Sequence, residues 1–364
     1  MAPADAEPQA RAWGRLLDRA TMLTINGSYG EGGGQILRTA LALSAVLDRP
    51  VLIEKIRAGR RNPGLQAQHL AGVKALAEIT RAEVEGATTG SISLRFVPTQ
   101  IAHGAYRWDV GTAGAISLVL QAVLVPLAFA SAASHIAITG GTHVPWSPPF
   151  PHVEQVLLPT LQGMGLRVSL RLERWGFYPK GGGMVEGTIE ASNLQPLTLT
   201  RRGSLTEVVG LSAVAGLPIG IAERQRERAL ARLNSLGVPC RIETSSVQAQ
   251  SRGTVLFLLI RCEGGRAGFS SLGERGKPAE RVSDEACDQL LAHLEREGVA
   301  DPYLADQLLL PMALAPGSSS MTTTRVTEHL LTNRWVVEQF LPGRVRVEGG
   351  VGQPGRVTVE GAGR

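Results

Sequence analysis

Apolar positions along this chain switch repeatedly between the two-residue period of a strand and the three-to-four-residue period of a helix. From Met22 the pattern predicts a short strand over 22 to 26, a glycine-rich stretch, an apolar helix to about Leu47 and a Val- and Ile-rich strand over 51 to 57. A helix opened by Pro63 follows, with Leu65, Leu70, Val73, Leu76 and Ile79 near helical spacing, and then strands over 82 to 86 and 91 to 97. The order is strand, helix, strand, helix, strand, strand.

Residues 105 to 189 repeat it: a strand at 105 to 110, a second glycine turn at Gly111-Thr112-Ala113-Gly114, an apolar helix to Ala130, a strand at 135 to 139, a helix at about 150 to 163, and strands at 166 to 172 and 184 to 190. A third copy is interrupted. Its first strand falls at 197 to 201, and its first helix comes only at Pro302 to Leu314. A β-branched strand at 321 to 331 follows, then a helix capped by Thr332 with Val336, Val337 and Phe340 on one face, and strands at 344 to 348 and 356 to 360. Repetition at a period of about eighty residues is the mark of a duplicated unit stacked on its own copies.

The stretch between, about 203 to 298, carries its own pattern. Strands are predicted at 206 to 214, 240 to 248 and 254 to 262, with an Arg-rich helix at 220 to 236 and a helix at 283 to 297 that turns Leu290, Leu291 and Leu294 inward. The expected fold is therefore α/β, with three βαβαββ repeats forming a large body (21 to 202 and 299 to 364) and a smaller α/β domain (203 to 298) inserted in the third. Residues 1 to 20 lack the apolar core of a signal peptide and read as an N-terminal extension.

Composition narrows the class. The 364 residues are 43 % hydrophobic, enough for substantial cores, and no apolar run reaches the roughly 18 uninterrupted residues of a membrane helix. Cys240, Cys262 and Cys287 have neither disulfide parity nor zinc spacing, which points to a reducing compartment and packing roles. Net charge is +5 with arginine in surplus, which suits a phosphate-bearing partner, whereas 4 % aromatic residues are too few for an extended single-strand platform.

Candidate chemistry gathers at residues 26 to 38, where Gly27, Gly30, Gly32, Gly33 and Gly34 bare the backbone just before a helix, an arrangement that favours anions. Glu31 within it would repel a phosphate unless a divalent cation lies between them; a plain glycine turn with a solvated Glu is the competing reading. Arg57, Arg60 and Arg61 follow the next strand as oxyanion clamps or as a solvated basic loop, the latter preferred for Arg61. Gln66, Gln68 and His69 open the following helix. Arg38 on an apolar helix needs a partner, either bound phosphate or Glu31. Tyr303 and Asp306 share a helix face at i, i+3, with Gln307 beside them, and His329 is expected at a strand exit before a helix N-terminus. The loops 140 to 149 and 174 to 183 read either as plain turns or as walls of a ligand site. Arg224, Arg226, Arg228 and Arg232 on one helix read equally as a solvated face or as an accessory RNA surface.

Several motifs, in order, carry a resemblance: GSYGEGGGQILR at 27 to 38, IRAGRRNPGLQAQHL at 56 to 70, GTAGAISLVLQ at 111 to 121, GFYPKGGG at 176 to 183, YLADQLLLPMALA at 303 to 315 and EHLLTN at 328 to 333. From about residue 22 to its end the chain resembles the RNA 3′-terminal phosphate cyclase family. That resemblance implies the fold reached above and an ATP-dependent conversion of an RNA 3′-phosphate to a 2′,3′-cyclic phosphate, through a covalent histidine-AMP and an RNA adenylate. It implies His329 as the adenylated residue and Glu31 as the metal ligand, for Mg2+ or Mn2+. Arg38, Arg57, Arg60 and Gln68 would meet phosphate or RNA; Gln121, Pro148, Tyr303, Asp306 and Gln307 would hold ATP or AMP. The implied partners are ATP and RNA with a 3′-phosphate end, without a membrane, in the cytoplasm. Two positions depart from the family pattern, Trp175 (after Arg174) and His143. Non-catalytic cyclase-like relatives and the enolpyruvyl transferases, built from similar repeats, are the competing classes.

Overall fold

The computed structural model describes residues 22–364, so the expected extension at residues 1 to 20 lies outside the described residues. Three four-stranded sheets share one strand order. The first holds β1 (Leu23–Asn26), β2 (Val51–Glu54), β3 (Glu83–Glu85) and β4 (Leu94–Val97) as β1-β2-β4-β3. The second holds β5 (Ala105–Asp109), β6 (Ser134–Gly140), β7 (Val168–Arg174) and β8 (Gly183–Ile189) as β5-β6-β8-β7. In each, the first pair is parallel and the other two are antiparallel. A parallel pair needs a crossover, and the helix between the strands supplies it. Two-residue alternation places Ile25, Val51, Ile53, Leu94 and Phe96 on the covered face, all fully buried.

The crossover helices form the centre. Helix α1 (Gly34–Leu47) packs against α2 (Ala67–Thr80) and α3 (Ile116–Ala128), and Ala40, Ala42 and Ala45 leave the room for close approach on several sides. Leu41 and Leu43 of α1 are fully buried, and truncation of such a leucine to Ala costs about 2–5 kcal/mol. The helical run after β6 is built of Phe150–His152, a π-turn Val153–Leu157, and Leu158–Gly163.

After β9 (Thr198–Leu199) the chain leaves for a fourth sheet. Strands β10 (Leu205–Ala215), β11 (Cys240–Val247), β12 (Gly253–Cys262) and β13 (Gly265–Leu272) pair as β11-β10-β12-β13, backed by α4 (Gly220–Leu233) and α5 (Ala279–Leu294). Val208, Leu256, Leu258, Phe269, Val282 and Leu290 form a separate core there, with Cys287 inside it and Cys240 and Cys262 at its margin as free thiols. The sequence pattern does not reveal β13, because Gly265 and Gly268 weaken its strand signal.

The third sheet then closes: β14 (Pro316–Thr323), β15 (Val345–Glu348) and β16 (Gly355–Ala362) join β9 as β15-β16-β14-β9, with β14 parallel to β9. Two short helices, α6 (Pro302–Gln307) and α7 (Leu309–Leu314), stand in place of the single helix expected, and α8 (Glu328–Phe340) packs on α1. No helix among the described residues is long and apolar enough to cross a membrane.

Three local expectations are corrected. Pro63 does not open a helix: α2 starts four residues later with Gln66 as its N-cap, after a loop that turns back on itself. The strand expected over 321 to 331 ends at Thr323. The cap of α8 is Thr327, whose Oγ1 accepts the Leu330 N–H at 3.0 Å, and Thr332 lies inside the helix. The arginine row of α4 is also accounted for. Arg228 makes a two-point contact with Asp284 (2.8 and 3.3 Å), Arg232 reaches Asp284 and Asp288, and Arg224 lies 3.8 Å from Glu280, so most of the row ties α4 to α5.

Candidate active site

The glycine stretch between β1 and α1 lies flat on the end of β2. Gly27 N–H donates to Glu54 O at 2.6 Å, and a Cβ on Gly27 would meet Glu54 O and Ile56 Cα at 2.9 Å, so only glycine lets the two chains approach this closely. Asn26 Oδ1 accepts from Ser28 N–H and Oγ at 3.0 and 2.8 Å, which shapes the turn. No side chain caps α1, whose N-cap is Gly33. An uncapped helix start offers its amides to an anion.

Above that start, the first turn of α8 carries His329. It is not at a strand exit as expected but is the second residue of the helix, because Thr327 caps earlier. His329 Nδ1 contacts Glu31 Oε2 directly. Gln35 Nε2 donates to the same oxygen at 3.3 Å, and Arg60 Nη2 lies 3.9 Å from it. All three groups gather on Oε2. Burial holds His329 below its ordinary pKa; Glu31 pulls it back, and Arg38 and Arg60 add to the lowering. Burial and the two arginines thus favour the neutral ring, with Nδ1 turned to the carboxylate.

Arg38 lies one turn into α1. Burial brings its guanidinium down to about 10, and the charge that opposes this is that of Asp306. Asp306 itself is pushed up to about 7, by burial first, with Arg38 opposing and Asp301 and Glu31 adding to the rise. Behind the pair is a small cavity of about 40 Å³, whose polar lining is Gln35, Arg38, Thr39, Gln121, Asp306, Gln307 and Asn333. Gln307 Oε1 is buried with no hydrogen-bond partner among the described residues, an acceptor that a bound donor would satisfy.

Tyr303 is half exposed, its ring edge-on to His152 at 6.0 Å, and burial and then Asp301 raise its phenol above the ordinary range. Asp301 holds this corner: its carboxylate accepts from the Tyr303 and Leu304 amides at 2.9 Å and faces His152 Nε2 at 3.2 Å.

Other expected residues stand further off or are engaged locally. Arg57, on a left-handed backbone (φ 52°), donates Nη1 to the Asn62 and Gly64 carbonyls at 2.6 and 2.8 Å and so folds its own loop. Gln68 lies against the second glycine turn, where a Cβ on Gly114 would approach its Cβ to 3.0 Å. Pro148 is buried in the loop ahead of Phe150. Trp175 and His143 meet each other, stacked at 4.2 Å and 11°, while burial drives His143 down to about 3.

Gln35 and Asn333 are absent from the sequence-based set of site residues, and His69 stands there only as one of the residues that open a helix. Gln35 lies in the first turn of α1, four residues after Glu31, which lies in the turn before the helix. His69 is buried beside the glycine stretch, its Nδ1 accepting the Gln66 N–H at 3.0 Å; burial, then Arg38 and Arg57, lower it to about 3. Asn333 accepts from Thr39 Oγ1 at 2.9 Å and donates to Asp306 O at 3.3 Å across 294 and 27 residues of sequence, and no local pattern signals that.

No group of three or more His, Cys, Asp or Glu suited to a metal ion occurs among the described residues. Glu31 is thus a single carboxylate with Oε1 left over. That donor set suits a cation arriving with phosphates, which supply its remaining ligands, better than a resident metal.

Residues 29–347 match the family model described as RNA 3′-terminal phosphate cyclase. The chain is 48 % identical over 336 residues to an RNA 3′-terminal phosphate cyclase of Methylococcus capsulatus, covering 90 % of this chain and 93 % of that one. It is 44 % identical over 339 residues to the protein of the same name from Pyrococcus abyssi, covering 93 % and 98 %. A solved EPSP synthase from Acinetobacter baumannii aligns with a TM-score of 0.28 and 12 % identity over 94 % of this chain and 83 % of its own, too slight a likeness to bear on fold or function.

Proposed function

This chain belongs to the RNA 3′-terminal phosphate cyclase family, and from that premise we propose that it uses ATP to close an RNA 3′-phosphate into a 2′,3′-cyclic phosphate by way of an adenylated His329. The observation that supports this route is the contact between Glu31 and His329 Nδ1. A carboxylate on Nδ1–H fixes the tautomer and leaves the Nε2 lone pair available. Nε2 attacks the α-phosphorus of ATP, a P–N bond forms and pyrophosphate departs. An oxygen of the RNA 3′-phosphate then attacks that phosphorus and the P–N bond breaks, which frees the histidine and leaves the RNA end carrying AMP. The neighbouring 2′-hydroxyl attacks the 3′-phosphorus, loses its proton and expels AMP.

The residues take roles that their places support. Arg38 and Arg60 flank the nucleophile and neutralise charge building on the transferred phosphate; the uncapped α1 start adds its amides. Asp306, Gln307 and Gln121 line the cavity and accept or donate to the nucleoside, with Tyr303 against the adenine and Pro148 on its other face. Arg57 and Gln68 are the outer contacts of the RNA phosphate. A Mg2+ or Mn2+ ion on Glu31 Oε1 would draw negative charge from the ATP phosphates. We read residues 203 to 298 as an inserted domain and place the reaction in the cytoplasm.

With labelled ATP, a divalent cation and no RNA, the protein should acquire one AMP, released by acid and stable to base, because protonating the imidazole makes it a good leaving group. His329→Ala should take up none while remaining folded. Covalent AMP on a folded His329→Ala protein would overturn the assignment. RNA ending in a 2′-deoxy 3′-phosphate should stall as the adenylate, and cyclic product from it would refute the last step.

A further inference from the structure

Four aromatic rings stand exposed among the described residues: Tyr29, Trp146, Tyr178 and Tyr303. Tyr29 stacks on Trp335, and Tyr303 belongs to the nucleotide corner. Trp146, 98 % exposed, and Tyr178, 67 % exposed, have no ring partner among the described residues and no part in the mechanism above.

The two rings sit on loops that run side by side. Thr142 and His143 N–H both donate to Gly176 O, at 2.9 and 3.0 Å, and His143 pairs with Phe177 as a parallel bridge. Tyr178 is the next residue on one loop, and Trp146 is three residues along the other, so both rings leave the same end of the paired segment. Trp146 is also two residues before Pro148, where the chain turns into the helical run whose His152 meets Tyr303. The loop of Trp146 is thus joined through that run to the corner that holds Tyr303.

Neither ring is placed by its own packing. Trp146 has φ 66°, a backbone that glycine takes freely and an L-residue only under strain, and the turn is closed by Ser147 Oγ donating to Val144 O at 3.2 Å. A fully exposed indole gains nothing from burial, and its left-handed backbone costs stability, which points to a role outside the fold. Tyr178 rides on a firm base: its neighbour Phe177 packs with Ala213, Ala215 and Val255, and Lys180 N–H donates to Ser251 Oγ at 3.1 Å. Exposed cations accompany the rings, Arg174 and Lys180 on the same hairpin and Arg252 on the loop that faces it.

We propose that Trp146 and Tyr178 form a two-ring stacking platform for the last unpaired bases of a single-stranded RNA whose 3′ end enters the site, with Arg174, Lys180 and Arg252 beside its phosphodiesters. The proposal rests on reading the site as one that acts on an RNA end. Every base has a flat face, so such a platform grips without regard to sequence. Two rings serve two or three nucleotides, which is compatible with a chain too poor in aromatics for a long single-strand groove.

The test measures RNA binding and self-adenylation separately. Anisotropy of a 5′-labelled single-stranded RNA with a 3′-phosphate, in the absence of ATP, should show affinity lower by about tenfold in Trp146→Gly and in Tyr178→Ala, with Trp146→Phe restoring most of it. Trp146→Gly relieves the strained backbone, so it should fold at least as well as the parent and self-adenylate at the parent's rate. Replacing the last two nucleotides by abasic sites should weaken binding to the parent and leave the Trp146→Gly, Tyr178→Ala protein unaffected. Parent-like RNA affinity in that double variant overturns the platform, as does an altered sedimentation coefficient with unchanged RNA affinity, which would make the rings a contact between copies. If the parent does not self-adenylate but ring removal still weakens RNA binding, the platform stands and the ATP reading of the site fails.

Discussion

Tyr29, inside the glycine stretch, lies flat on Trp335 of α8, with ring centroids 4.0 Å apart and 11° between planes. Glu31 follows Tyr29 by two residues, and His329 precedes Trp335 by nearly two turns of the same helix, so the stack ties together the two segments that carry the carboxylate and the imidazole. Tyr29→Ala should lower self-adenylation about tenfold and cost roughly 1 kcal/mol of stability, the scale of an aromatic pair. Tyr29→Phe should keep both. Single-turnover adenylation and urea midpoints check this, and an unchanged rate in Tyr29→Ala would uncouple the stack from the site.

Glu31 has two tasks in this reading, one for each oxygen. Glu31→Gln should slow adenylation and move the metal titration to higher concentration, because an amide is a poor ligand for a hard cation. A parent-like titration at full rate would take Glu31 out of the site.

Gly34 is the first residue of α1, beside the candidate site. A Cβ there would lie 2.5 Å from His69 Nε2 and 3.1 Å from Arg38 Nη1. Gly34→Ala is expected to push both side chains aside and to reduce adenylation at least tenfold, although alanine is the better helix former by about 1 kcal/mol. Lost activity in a protein of parental or higher melting temperature is the signature.

Acid should weaken this fold earlier than its carboxylates alone would require. His69 and His143 are lowered to about 3 and His293 to about 4, each by burial first. A histidine lowered from about 6.5 binds fewer protons folded than unfolded, so its stabilisation is complete above that value and declines as pH falls toward the folded pKa. Each can add a slope of up to about 1.4 kcal/mol per pH unit. Denaturant midpoints between pH 7.5 and 4.5 should fall steeply, and His143→Phe, which keeps a ring against Trp175, should flatten the curve. An equal slope in that variant would refute a buried neutral His143.

Arg232, half-buried between α4 and α5, is expected to cost about 1 kcal/mol on removal, through lost packing and its Asp288 contact. Arg224→Ala with Arg226→Ala should leave RNA affinity unchanged. A marked loss would return the row to nucleic-acid binding.

Strands and helices were legible where apolar positions keep strict period, as in Ile25, Val51 and Ile53 or in Val73, Leu76 and Ile79. The run Met321 to Thr327 misled because its β-branched residues favour extended backbone past the true end of β14, although Thr327 followed by Glu328 is itself a capping signal. Pro63 misled for a tertiary reason: the loop from 57 to 66 folds around the Arg57 guanidinium, and a proline cannot report that. Of the site, Glu31, Arg38, Asp306 and His329 were readable as residues out of character with their surroundings. Their mutual arrangement was not, since it depends on Tyr29 with Trp335 and Thr39 with Asn333, pairs about three hundred positions apart.

If His329 is the nucleophile as proposed, the interruption of the third sheet fixes when this protein can first act. Strand β9 waits for β14 while more than a hundred intervening residues are made, and the helix bearing His329 is among the last elements of the chain. A ribosome halted before residue 320 would hold a nascent chain with the glycine stretch and every candidate phosphate-binding arginine already made, yet without the imidazole. Such a product would also lack Trp335 and Asn333, the partners of Tyr29 and Thr39 that bring the candidate site together, so on the proposed reading competence would appear only with synthesis of the last strands and helix.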